Sequence, residues 1–124
     1  RKGVEIDLTG LEAPTAPSAD GIWKEGLLLK RAPKMSLKLD KRYFVLTSDS
    51  LRYFEPNYDS SDTKVEPNGI IPLSRVQRLR ACKTTDGPQV EIDVGTRVLQ
   101  LVAPDEDSAG QWLLALEAAT GRSC

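Results

Sequence analysis

Seven short runs of β-branched, aliphatic and aromatic residues, cut apart by turn-forming residues and followed by one amphipathic helix, constrain this chain more than any other feature. The runs cover residues 22–31, 40–47, 51–55, 69–73, 74–82, 89–94 and 97–102. Ser48-Asp49-Ser50, Pro56-Asn57, Asp86-Gly87 and Gly95-Thr96 supply the breaks. In the fifth run the alternation slips between Val76 and Leu79, which predicts a bulge there. After Pro104, the acids Asp105, Glu106 and Asp107 sit where a helix N-terminus favours negative charge. Ala109, Trp112, Leu113, Leu116 and Ala119 then recur at helical spacing, and Gly121 ends the helix. Gly110 inside that helix costs about 1 kcal/mol against Ala. The expected architecture is mainly β: a seven-stranded antiparallel barrel or orthogonal sandwich, closed at one end by the C-terminal α-helix with Trp112 as its plug.

A chain of 124 residues can bury one core. Residues 1–20 read as a leader. Within it Glu5-Ile6-Asp7-Leu8 alternates polar and apolar, and residues 13–19 contain two prolines and small residues, as a linker does. A disordered tail and a segment docked on the domain both fit this pattern. Residues 21–120 make the folded unit and 121–124 a short tail. The first residue is Arg1 rather than Met, from which a longer parent protein is expected.

Composition removes several function classes. Histidine is absent, and no nucleophile motif, glycine-rich phosphate loop or cluster of metal-ligand type occurs. The expectation is a non-catalytic protein with no cofactor and no metal. Cys82 and Cys124 make no disulfide framework and read as reduced thiols. No run of about 18 apolar residues is present to span a bilayer. The basic residues are not interleaved with stacking aromatics, which argues against nucleic acid.

The net charge of −1 hides a polarised molecule. Residues 22–54 hold eight basic and three acidic groups, whereas residues 55–119 hold six basic and eleven acidic groups. The excess positive charge collects at one hairpin. Gly26-Leu27-Leu28-Leu29-Lys30-Arg31 and Lys41-Arg42-Tyr43-Phe44-Val45-Leu46 flank a loop, residues 32–40, that carries Lys34 and Lys38. Cations clustered at rigid strand ends suit an anionic ligand.

These features together resemble the pleckstrin-homology (PH) domain family, over residues 21–120. The resemblance rests on Glu25-Gly26-Leu27-Leu28-Leu29-Lys30 in the first strand, Lys41-Arg42-Tyr43-Phe44-Val45-Leu46-Thr47 in the second and Leu51-Arg52-Tyr53-Phe54-Glu55 in the third. Gly69-Ile70-Ile71-Pro72-Leu73 and a final helix bearing Trp112 complete it. It implies a PH-like fold and, as in many members, a phosphoinositide headgroup held between the first two strands. On that pattern Lys30 fills the late first-strand basic position, Arg42 the arginine of the second strand, and Tyr53 a position whose hydroxyl reaches a ring phosphate. Arg31, Lys34, Lys38 and Lys41 are further candidate ligands, and Met35 and Leu37 are candidate membrane contacts. Asp40 departs from the pattern, which has a basic residue there, and Asn68 stands where some high-affinity members have Arg. Modest affinity and loose isomer choice are therefore expected. The implied role is cytoplasmic, peripheral recruitment of a larger signalling protein to anionic membranes. The alternative is a protein-interaction domain with little lipid binding, using the acidic half, the loop 58–68, the leader or an edge strand.

Overall fold

The computed structural model describes residues 5–32, 35–62 and 64–122. Seven antiparallel strands form one sheet: β1 (Ile22–Ala32), β2 (Met35–Thr47), β3 (Ser50–Phe54), β4 (Gly69–Pro72), β5 (Arg78–Thr84), β6 (Gly87–Asp93) and β7 (Val98–Val102). Their order is β4-β3-β2-β1-β7-β6-β5. Helix α1 (Glu106–Thr120) follows. The mainly β architecture with one C-terminal helix is thus as expected from the spacing of the runs.

The sheet has two halves. β1 pairs with β2 along nearly its whole length, from Ile22↔Thr47 to Ala32↔Met35, but with β7 only at Leu29↔Val102 and Lys30↔Leu101. Apolar side chains from both halves meet in a single cluster that includes Phe44, Leu46 and Leu51 on one side and Leu79, Val90, Ile92 and Leu99 on the other. The helix lies against this cluster with Trp112 2% exposed and Leu113 and Leu116 fully buried. Asp105 caps the helix: its side chain accepts a bond of 2.7 Å from the Ser108 amide, satisfying one of the orphan donors of the first turn.

Two boundaries differ from the sequence reading. The supposed loop 32–40 is strand for most of its length, since β2 starts at Met35. Met35-Ser36-Leu37-Lys38-Leu39-Asp40 alternates with a period of two, a strand signal that its charges obscured. The fifth run does not bulge. It opens as a 3-10 turn, Leu73–Arg75, in which the Val76 amide returns to the Leu73 carbonyl, and the strand proper starts at Arg78.

The leader docks from residue 5 onward. It is not a strand, yet the Glu5 amide donates to the Ala81 carbonyl at 2.9 Å and the Asp7 amide to Glu106 Oε1 at 3.0 Å. Ile6 is 6% exposed and belongs to the main core. This contact accounts for Gly110. A Cβ on that glycine would lie 2.5 Å from Leu11 Cδ1 and 3.0 Å from Leu8 Cδ2. The helix gives up propensity at Gly110 so that the leader can lie flat upon it.

Candidate functional site

In an antiparallel pair, directly opposed residues share a face. The register of β1 and β2 therefore sorts the hairpin into two sets. Gly26 opposes Phe44, Leu28 opposes Arg42 and Lys30 opposes Asp40. Phe44 and Leu28 are buried, so this set faces the core side of the sheet. Leu27 opposes Tyr43, Leu29 opposes Lys41 and Arg31 opposes Leu39, and this second set faces the other way.

On the core side the apolar lining stops at Leu28 and Phe44, and a polar rim takes over toward the hairpin turn. Lys30, Lys38, Asp40 and Arg42 occupy it, alternating along β2 as cation, anion, cation. Lys38 Nζ lies 3.7 Å from Asp40 Oδ1. β3 adds Tyr53, which opposes Phe44 with ring centroids 5.4 Å apart. Lys30 Nζ stands 5.3 Å from the Tyr53 ring centroid, a cation–π distance. Gly69 on β4 opposes Tyr53, and a Cβ there would fall 2.3 Å from both Tyr53 Cζ and Oη. The missing side chain at Gly69 is what lets the phenol lie across β4. Just past the β2–β3 ladder, Glu55 meets Arg42, with Oε2 3.6 Å from Nε, and accepts a hydrogen bond from Asn68 Nδ2. One partner of each pair is well exposed, Glu55 at 60% and Lys38 at 58%, so water screens both pairs and each holds by about 1 kcal/mol or less.

Of the sequence candidates, Lys30, Lys38, Arg42 and Tyr53 come together on this rim. Arg31 and Lys41 do not, because neighbouring strand residues point to opposite faces. Arg31 Nη2 donates to Asp86 Oδ2 at 2.7 Å and to Gln89 Oε1 at 3.4 Å, and its side chain is only 15% exposed. Lys41 lines an apolar cavity of about 370 Å³ on the opposite face, with Leu27, Leu29, Val102, Ala103 and Pro104. Lys34 lies outside the described residues. Met35 and Leu37 belong to the β2 backbone, and their side chains lie outside the described ones. Glu55 was not a candidate. Its place directly after Phe54 on a strand antiparallel to β2 was the available signal, since that sets it across from Arg42.

Tyr43, on the opposite face, donates from Oη to Glu25 at 2.6 Å. Desolvation first, then that bond and the Glu25 charge, push its phenol up to about 12. Cys82 is buried, and desolvation raises its thiol. Cys124 lies outside the described residues. Among the described residues no group of three or more His, Cys, Asp or Glu is placed to hold a metal ion, and no helix is long and apolar enough to cross a membrane.

Comparison with known proteins gives a consistent result. The family model for the PH domain matches residues 22–121. Human cytohesin-2 is 30% identical over 120 residues, covering 77% of this chain and 28% of the relative, so the chain spans under a third of that protein's length. Among solved structures, the Slm1-PH domain in complex with inositol-4-phosphate superposes with a TM-score of 0.68 at 20% identity, over 81% of this chain and 96% of that one. The C-terminal PH domain of pleckstrin in complex with D-myo-Ins(1,2,3,4,5)P5 gives a TM-score of 0.62 at 24% identity, over 79% and 97%.

Proposed function

This chain belongs to the PH domain family, and from that premise we propose that it is a non-catalytic module that binds phosphoinositide headgroups on anionic membranes and recruits a larger parent protein there. The observation that carries the reading is the register of the first hairpin, which has Lys30, Lys38 and Arg42 on one face, with the Tyr53 ring beside Lys30. A guanidinium takes a phosphate in two parallel bonds, an ammonium adds point charge, and a phenol donates one more bond. The inositol phosphates in the Slm1 and pleckstrin structures support the same ligand class. The proposed division of the chain is a leader at 1–20, the PH unit at 21–120 and a tail at 121–124.

Magnitude sets what this site can do alone. Attraction to an anionic surface is about 1 kcal/mol per basic residue, so three cations supply roughly 3 kcal/mol. That is on the order of a hundredfold in partitioning. Firm recruitment then needs specific headgroup bonds, or a second attachment supplied by the parent protein.

Vesicle sedimentation tests the reading. Binding to phosphoinositide vesicles above a phosphatidylserine background is expected, with Arg42→Ala and Lys30→Ala each removing the excess. Equal binding to both vesicle types by the unmodified chain overturns it. The second reading, a protein-interaction domain, would then take its place. It is favoured by the apolar cavity beside Lys41, whose lining includes Leu27, 44% exposed.

A further inference from the structure

We infer that Asp40 and Glu55 are built-in counter-anions that restrict the rim to a headgroup carrying one phosphate monoester besides its diester link; this rests on the headgroup reading above. Among the described residues three cations, Lys30, Lys38 and Arg42, share the face with two carboxylates. A phosphate monoester carries a charge of about −1.5 to −2. One such group meets enough positive charge here, but only where it displaces a carboxylate.

The two carboxylates differ in how readily they yield. Glu55 has a long side chain, is 60% exposed and stands beyond the last paired residue of β3, so it can swing from Arg42 into water. Asp40 cannot. Its short side chain belongs to a paired residue near the turn end of the β1–β2 ladder, opposite Lys30 and between Lys38 and Arg42, and it is only 29% exposed. A first phosphate can settle between Arg42 and Lys30, beside the Tyr53 ring, once Glu55 leaves Arg42 and gives up the bond from Asn68. A second monoester on the adjacent ring carbon is brought toward Asp40 and repelled. Glu55 therefore lowers affinity for every headgroup alike, and Asp40 selects against the second phosphate.

The test uses the full chain and vesicles of phosphatidylcholine and phosphatidylserine, with either a phosphatidylinositol monophosphate or the 4,5-bisphosphate added at matched total charge. The unmodified protein is expected to bind the monophosphate at least as well as the bisphosphate. Asp40→Asn should raise bisphosphate binding about fivefold, the repulsion of two close charges in water, and monophosphate binding by less than about twofold. Glu55→Gln should raise both to the same degree. Soluble inositol 1,4-bisphosphate should release the protein from monophosphate vesicles where an equal concentration of inorganic phosphate does not. The inference is overturned if the unmodified chain already prefers the bisphosphate about tenfold, if Asp40→Asn strengthens both lipids equally, or if inorganic phosphate competes as well as the headgroup. Loss of any preference over phosphatidylserine, in the unmodified chain and in Asp40→Asn alike, overturns the headgroup reading itself. Phosphoinositide binding that is intact but blind to both substitutions overturns only the part given to the carboxylates.

Discussion

Replacing Ile6 by alanine should destabilise the whole domain, although Ile6 lies sixteen residues ahead of the first strand. The side chain is 6% exposed and packs into the same cluster as the helix and both halves of the sheet. The change removes three buried carbons at about 0.8 kcal/mol each, or about 2.4 kcal/mol. A cavity penalty would add to this in a rigid core, where Ile→Ala reaches about 5 kcal/mol. Here the leader is held mainly by the Glu5 and Asp7 amide bonds and by contact with the helix, so it can settle into the gap and the added cost is small. The expected loss is about 2.5 kcal/mol, which for a chain of 124 residues corresponds to a fall of about 10 °C in Tm. Urea unfolding followed by tryptophan fluorescence gives the free energy, and a thermal scan gives the shift. Ile70→Ala serves as the control, because Ile70 is 52% exposed and its truncation should stay within about 0.5 kcal/mol. A loss for Ile6→Ala no larger than that of the control refutes the argument that the leader is part of the core.

Two further outcomes follow from local chemistry. The Tyr43 phenol is raised from 10.0 to about 12 in the folded chain, so its contribution to stability is whole below pH 10 and is lost as pH climbs from 10 toward 12; Tyr43→Phe should flatten the fall of Tm across that window, and parallel curves for the two proteins would contradict it. Asp105→Ala removes the acceptor for the Ser108 amide at the helix start and should cost about 1 kcal/mol by urea unfolding, with Asp105→Asn recovering most of it.

The strands and helix were legible because their signals are local. Val90, Ile92 and Leu99, Leu101 alternate, Asp105 precedes an apolar stripe, and Gly121 stops it, so propensity and pattern agree with the tertiary structure. The start of β2 was not legible although Met35, Leu37 and Leu39 alternate with Ser36, Lys38 and Asp40, because the charged members of that run have the low β-propensity of a loop. The docking of Ile6 was only half legible: Glu5-Ile6-Asp7-Leu8 alternates polar and apolar, but nothing local shows what its apolar members meet. It depends on a gap that Gly110 opens more than a hundred residues later. The candidate site was half legible for the same reason. Residue types named the cations, but only the register separates Lys30 and Arg42 from Arg31 and Lys41, and only the antiparallel run of β3 brings Glu55 to Arg42.

The two rungs between β1 and β7 carry a thermal consequence. Within each half, amide bonds run the length of the strands, but the halves adhere chiefly through hydrocarbon removed from water. That kind of adhesion has a large heat capacity and fades as water is cooled, whereas a ladder of amide bonds does not fade in the same way. Chilling should therefore loosen this molecule along the line between its halves before it frays either one.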